Sequence, residues 1–256
     1  MRRFRTCGRP MAPTPPDASA CLAALEATWP AAETAHAGPF LLRRGLGGGQ
    51  RVSAATAEGP VEVGAIAEAV AAMAAWNQSP IFMVRHGEAA LDTLLAAEGF
   101  VVKDPVTLYA GPCDALARPL PHRLRHIRVW PPTAVQAEIW AAGGIGSERI
   151  AVMDRAAEPK VTILGRIGQR SAGTAFVGVH DRIAMLHALE VAPMGRRKGL
   201  GRDMMRGAAH WALGTGATAL TVAVTDANGP ANALYRGLGM VPVTRYHYRV
   251  RPEETR

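Results

Sequence analysis

The 256-residue sequence predicts an α/β (α+β) fold, with a mixed, mostly antiparallel sheet flanked by helices. Strand-like and helix-like segments alternate along the chain. Three consecutive strand-like runs, KVTILGRIG (160–168), GTAFVGVH (173–180) and RIAMLHALEV (182–191), are separated only by the short turns GQRSAG and His180-Asp181, which predicts an antiparallel meander. In addition, IFMVRHGEAALDTLLAAEGFVVKDPVTLYA (81–110) resembles LTVAVTDANGPANALYRGLGMVPVTRYHYR (220–249), each reading strand, polar turn, helix, glycine, strand. That internal similarity predicts two related copies of one α/β unit.

Residues 1–19 are rich in Arg, Pro and small side chains and read as a disordered tail, with Met11 as a second candidate start. A helix is predicted over 21–29. PFLLRR (39–44) and RVSAAT (51–56) read as short strands joined by a glycine run. The alanine-rich stretch 61–76 carries an apolar stripe and predicts a helix. IFMVR (81–85) is a strand, 88–98 a helix ended by Gly99, and 100–110 a returning strand. Pro112, Pro119 and Pro121 punctuate a linker. Beyond it, IRVW (127–130) predicts a strand, 134–142 and 147–155 predict helices, and the meander follows. A helix over 200–214, the strand 219–225, a helix from Pro230 to about Arg236 and the strand 241–250 complete the chain. The expected division is a tail at 1–19, a first α/β domain at 20–115 and a second at 116–256.

No apolar run approaches the roughly 18 residues needed to span a membrane, and the basic start lacks the apolar stretch of a signal peptide. Cys7, Cys21 and Cys113 are odd in number and widely spaced, so they form no disulfide framework or metal pattern. A cytoplasmic location and no metal are therefore expected. The formal charge of +8 is uneven: residues 1–115 carry 9 Lys and Arg against 11 Asp and Glu, whereas residues 116–256 carry 20 against 10. A basic half can serve nucleic acid, an anionic surface or a small anion. With 5% aromatic residues and no helix-turn-helix, a nucleic-acid partner is not expected. A small phosphorylated ligand fits better.

GRRKGLGRD (195–203) supplies the means to hold one. It lies between a strand ending at Val191 and a helix starting near Leu200. Helix N-termini present unpaired amides and a partial positive charge. Gly199 and Gly201 leave those amides accessible, and Arg196, Arg197, Lys198 and Arg202 add charge. The stretch is neither a P-loop nor a dinucleotide fingerprint. Further on, Asn228-x-x-Ala231-x-x-Leu234-Tyr235 opens a second helix after a second strand.

Arg196-x-x-Gly199-x-Gly201 followed by this Asn-x-x-Ala-x-x-Leu-Tyr segment resembles the signature of the GNAT-type N-acetyltransferase superfamily, over roughly 162–248. The resemblance implies tandem GNAT-like domains, the first degenerate, and a central parallel strand pair (182–191 and 219–225) that splays to admit acetyl-CoA. It implies that Leu189 and Val191 pair with the pantetheine arm through their backbone. The amides around Arg197, Lys198, Gly199, Gly201 and Arg202, with Arg196, would hold the pyrophosphate, and Asn228 would contact the cofactor. Tyr235 falls where the family commonly has its general acid.

The general base is open between His187, Glu190 and water. IAMLHALEV (183–191) is similar to the corresponding strand of serotonin-type N-acetyltransferases, which carries two histidines, but Met185 replaces the first here. Strand alternation puts His187 on one face with Leu189 and Val191, beside the cofactor. A hydrogen-bonded core histidine is its competing role. Alternation puts Glu190 on the opposite face, unless a bulge of the kind the family tends to have redirects it. His247 is a candidate lining residue of a substrate pocket. In the first half, Leu94-Leu95-Ala96 stands opposite Tyr235, and Gly87 or Glu88 opposite Asn228. That half is expected to shape the acceptor pocket, with Arg85, Glu88 and Asp92 as candidate polar contacts. The expected activity is acetyl transfer from acetyl-CoA to a primary amine, on a small molecule or peptide, by direct attack in a ternary complex. The competing reading is a non-catalytic acyl-CoA-binding or regulatory module. Neither the acceptor nor the oligomeric state is encoded in these motifs.

Overall fold

The computed structural model describes residues 15–119 and 125–252. Of the tail expected at 1–19, residues 1–14, with Cys7 and Met11, lie outside the described residues, as does Pro121 of the linker, whereas Ala18 and Ser19 belong to a helix. In chain order the elements are α1 (Ala18–Thr28), β1 (Glu33–Ala37), β2 (Phe40–Arg44), β3 (Thr56–Ala57), α2 (Val63–Ala75), β4 (Ile81–Arg85), α3 (Ala89–Ala97), β5 (Val101–Pro112), α4 (Cys113–Leu116), β6 (His126–Val129), α5 (Ala134–Ala142), α6 (Ser147–Arg155), β7 (Lys160–Ile167), β8 (Arg170–His180), β9 (Ile183–Val191), α7 (Leu200–Gly214), β10 (Ala219–Thr225), α8 (Gly229–Gly237) and β11 (Val241–Val250).

Local chemistry fixes several boundaries. Asp17 accepts from the Ala20 amide at 2.8 Å and starts α1 ahead of the expected position. Thr133 and Gln136 form a capping box that opens α5. Asp181 and Arg182, at φ 43° and 64°, make the two-residue turn between β8 and β9. The segment 51–56 is not the expected strand. Gln50–Val52 forms a single 3-10 turn after the glycine run, Ala55 makes an isolated parallel bridge to Phe82, and Thr56–Ala57 pairs with β2. Part of the expected linker is helical, as α4.

β4-β11-β5-β10-β9-β8-β7-β6 form one eight-stranded sheet, and β1-β2-β3 a small antiparallel one. In the large sheet every neighbouring pair is antiparallel except β9 and β10. The meander is present as β7-β8-β9. The similar segments are β4–α3–β5 and β10–α8–β11, and their closing strands are exchanged. β5 pairs with β10, and β11 pairs with β4. The registers correspond: Ile81 opposes Val250 as Thr221 opposes Ala110, and Arg85 opposes Tyr246 as Thr225 opposes Val106. Gly99 and Gly239 end α3 and α8 at the same φ of 80°. A pseudo-twofold axis thus runs through the central pair Val106 and Tyr246. It shifts the sequence alignment by one residue, so that Ala89 matches Gly229.

α7 packs on one face of the sheet in a core with Leu186, Leu220, Val222 and Tyr235. α1 packs on the other face, where Cys21 and Leu25 meet Leu108, Met185 and Tyr246. α2 and α3 cover β4, and Trp29, Trp140 and Phe176 form a fourth cluster under α5 and α6. Cys21 and Cys113 are buried free thiols, with burial raising their pKa values to about 11 and about 12. Among the described residues no helix is long and apolar enough to cross a membrane.

Gly178 of β8 is the contact point for α1. A Cβ there would lie 2.9 Å from Thr28 Cβ, and Thr28 is held by bonds to Ala24 O and His187. Gly178→Ala is expected to cost about 1–3 kcal/mol, as overpacking does. Urea unfolding should show a lower midpoint with unchanged slope.

Candidate active site

The site is built where β9 and β10 part. Their parallel ladder runs from Ile183/Ala219 to Leu186/Val222 and stops there, although β9 continues to Val191 and β10 to Thr225. The cause is a bulge in β9. On the β8 side, Phe176 opposes His187 and Thr174 opposes Glu190, so Ala188 and Leu189 together face one partner residue. Ala188 sits at φ 50°, and its carbonyl accepts from Trp140 Nε1 at 2.8 Å.

The bulge reverses the faces that alternation predicts. Met185 and His187 point to the α1 side, while Leu189 and Val191 pack against the α7 core. His187 therefore does not share a face with Leu189 and Val191. Glu190 is redirected as well. It packs against Gly143 at the end of α5, where an added Cβ would come within 2.7 Å of its carboxyl, and it pairs with Arg196 at 3.4 Å.

On the α7 side lies a groove of about 800 Å³, lined by Leu189, Glu190, Val191, the 195–203 turn, Asn228, Ala231 and Leu234. Arg197 and Gly199 have φ of 57° and 78°, so the turn winds left-handed before α7 begins. Among the described residues no carbonyl accepts from the amides of Arg197, Lys198, Gly199, Gly201 or Arg202; the first α7 bond is Asp203 N to Gly199 O. The Arg196 side chain turns back, its Nε donating to Val191 O at 2.9 Å. Arg125, which the sequence reading did not single out, clamps the turn by donating to Lys198 O at 3.1 Å and pairing with Asp203 at 2.9 Å. Asn228 lines the groove, and its side-chain oxygen caps α8 by accepting from Ala231 N at 3.1 Å.

Tyr235 follows Leu234 but lies behind the groove wall, 5% exposed, in the core with Leu200, Met204 and Met240. Burial pushes its phenol well above the ordinary tyrosine value, so it is a neutral donor. Beside it, buried Asn232 donates to Thr225 O and Asn228 O and accepts from Tyr109 OH at 3.0 Å, and Arg236 Nε donates to that same hydroxyl oxygen. This network fixes the start of α8 on the ends of β10 and β5.

On the other side of the splay is a cavity of about 310 Å³, lined by Trp29, Gly48–Arg51, Asp104, Val106, Ile145, Arg149, His187, Ala188, Ala223, Thr225, Tyr246 and Tyr248. His187 is buried and stacks on Trp29 with ring centroids 4.8 Å apart. Its Nδ1 lies 3.1 Å from Arg51 Nη1 and its Nε2 2.8 Å from Thr28 Oγ1. Arginine only donates, so Nδ1 accepts. The Thr28 hydroxyl donates to Ala24 O at 2.6 Å, so Thr28 Oγ1 accepts from Nε2–H. The imidazole is neutral and has no free lone pair. Burial, and then the Arg51 charge, hold it well below the usual histidine range.

Arg85, Glu88, Asp92 and His247 line a separate cavity of about 360 Å³ that shares Val106 and Tyr246 with the first. There Arg85 pairs with Glu88, and Asp92 lies 2.7 Å from both His247 and Arg249. Trp29, Arg51, Tyr246 and Tyr248 went unmarked in the sequence because no motif links their segments. Among the described residues no group of three or more His, Cys, Asp or Glu side chains is placed to hold a metal ion.

This arrangement, a parallel pair splayed by a bulge beside a glycine turn and a helix N-terminus, defines an acyltransferase fold. Residues 126–240 match the acetyltransferase (GNAT) family, and the chain carries a GNAT acetyltransferase domain over that range. A GCN5-related N-acetyltransferase from Kribbella flavida superposes with a TM-score of 0.69 at 19% identity, over 91% of this chain and 95% of that one. A conserved protein of unknown function from Staphylococcus epidermidis ATCC 12228 gives 0.63 at 9% identity, over 85% and 92%. A tandem GNAT protein from the clavulanic acid biosynthesis pathway, solved without AcCoA, gives 0.57 at 16% identity, over 82% and 76%. No curated protein matches the sequence.

The His187 environment has a consequence for acid stability. Its folded pKa lies below the unfolded value of about 6.5, so the unfolded chain takes up the proton first. The associated stability is complete above that value and is lost as pH falls toward the folded pKa. His187→Gln can still accept from Arg51 and donate to Thr28. It should flatten the decline by up to about 1.4 kcal/mol per pH unit below pH 6.5, read from urea unfolding at stepped pH.

Proposed function

We propose that the chain transfers the acetyl group of acetyl-CoA to a primary amine by direct attack in a ternary complex. The observation that carries this reading is the pairing of a groove and a cavity on opposite sides of the β9 bulge, with unbonded amides at the groove's far end. The residues fit the cofactor. Arg197, Lys198, Gly199, Gly201 and Arg202 would offer their amides to the pyrophosphate. Gly199 is required by its φ of 78°, and a Cβ on Gly201 would meet Leu234 at 3.2 Å. Leu189 and Val191 would line the pantetheine arm along the β9 edge that β10 leaves, with Val191 O shared with Arg196 Nε, and Asn228 would border it.

In this reading Tyr235 is the general acid, its neutral phenol donating to the leaving thiolate after a small opening of the groove wall. The base is Glu190 or water next to it. Both imidazole nitrogens of His187 are already bonded, and its role is to hold α1 and the 45–53 loop on β9. We also read residues 20–115 and 116–256 as two related units in a cytoplasmic protein. Leu95 and Glu88 occupy the positions of Tyr235 and Asn228 in the first unit, so only the second has a complete cofactor cradle. The first contributes Trp29, Arg51 and Asp104 to the acceptor cavity.

Calorimetry should show coenzyme A binding to the full chain, weakened at least about tenfold, or about 1.4 kcal/mol, by Gly199→Val. Equal affinity in that variant would contradict the cradle. Tyr235→Phe should retain coenzyme A affinity and lose about 10²-fold or more in thiol release, the scale of general acid catalysis. His187→Gln should keep most of the rate. Tight coenzyme A binding with no amine acetylated would favour a binding module instead.

A further inference from the structure

Arg51 is an arginine whose charge the protein leaves unanswered. Its Nη1 donates to His187 Nδ1, and Tyr246 and Tyr248 line the same cavity. Its Nε is buried and has no partner. Among the described residues no carboxylate forms an ion pair with it. Other arginines show the contrast: buried Arg43 is matched by Glu26 at 2.9 Å, and Arg249 by Asp92 at 2.7 Å. Cations withdrawn from water are ordinarily paired, because desolvation must be offset; Arg51 is half-buried, with its Nε fully covered. Arg51 instead faces the 310 Å³ cavity.

A second guanidinium shares that wall. Arg149 of α6 packs over Gly49, 3.3 Å from where its Cβ would stand, and also lines the cavity. The carboxylate bordering the same space is Asp104. It lies next to Pro105, whose carbonyl accepts from Asp226 N at 2.7 Å, so it sits beside the end of β10 where the splay opens. The cavity therefore has a cationic wall and an acidic rim beside the end of β10, across the β9 bulge from the groove. Its volume suits a small molecule.

We propose that the acceptor is a small amino-carboxylate, its carboxylate held by Arg51 and Arg149 and its amine presented past Asp104 to the splay. This rests on the acetyl-transfer reading above. The amine loses a proton to the base, its nitrogen forms the bond to the acetyl carbon, and the carbon–sulfur bond breaks. Sulfur leaves with the electron pair and is protonated. A carboxylate is favoured because its two oxygens match the planar fork of a guanidinium.

The test uses amino-carboxylates of increasing length, from glycine to 6-aminohexanoate, each beside its carboxamide and its parent alkylamine. Thiol release from acetyl-CoA by the full chain should give at least one carboxylate a kcat/KM tenfold or more above both partners. Arg51→Met and Arg149→Gln should each pull that ratio toward one, with coenzyme A affinity reporting that the variant is folded. The wild-type comparison stands even if Arg51→Met does not fold. Carboxamides or alkylamines serving as well as every carboxylate would overturn the proposal. If coenzyme A does not bind, or no amine is acetylated, calorimetry with the same compounds decides. A carboxylate preference lost in Arg149→Gln supports the anion site and leaves the transfer reading as what failed. No preference overturns the anion site itself.

Discussion

The hydrogen bond from Trp140 Nε1 to the Ala188 carbonyl holds the site open. A strand that kept its ladder would have paired with β10 to its end, and no splay would exist. The extra residue at Ala188–Leu189 breaks that pairing and turns a carbonyl out of the sheet, and the buried indole satisfies it where water cannot. The same kink decides which side chains serve which compartment. Leu189 and Val191 line the groove and reach the α7 core, whereas His187 turns the other way, into the Arg51 cavity. One backbone irregularity thus separates the groove on the α7 side from the cavity on the α1 side.

The exchanged strands set the context for that irregularity. Because β5 lies between β10 and β11, and β11 between β4 and β5, neither half of the chain closes a sheet alone. The strand beside the splay, β5, comes from the first half and brings Asp104 and Val106 with it. Tyr246, on the pseudo-twofold axis opposite Val106, borders both the Arg51 cavity and the Asp92 cavity. The first half therefore cannot be set apart from the second: β5 and the 45–53 loop form walls of the cavity beside the splay.

Much of this frame was legible in the sequence, where the signal was local. The meander, the α7 and α8 starts and the glycine turn follow from periodicity, caps and glycines within a few residues of one another. The repeat announced the two related segments, but a repeat cannot reveal that their closing strands trade places, since exchange conserves every local pattern. The face of His187 was misread because strict alternation assumes a regular ladder, and a bulge depends on Trp140, which lies on a distant helix. Arg51 was passed over for a similar reason. Its partner His187, and the Tyr246 and Tyr248 that line the same cavity, come from strands near the far end of the chain.

The basic excess also takes on a different meaning in three dimensions. The chain has 26 arginines and only three lysines, a ratio that simple solubility does not require. Much of the arginine is structural. Arg125 clamps the 195–203 turn to α7, Arg196 ties it to Val191, Arg236 anchors Tyr109, and Arg249 joins β11 to Asp92 and Phe100 O. Several of these join a carbonyl and a carboxylate at once, which needs several donors in a planar fork. Charge in the second half is therefore not by itself a measure of anion binding. The informative arginine belongs to the less basic half: Arg51 donates to a histidine and, among the described residues, has no carboxylate of its own.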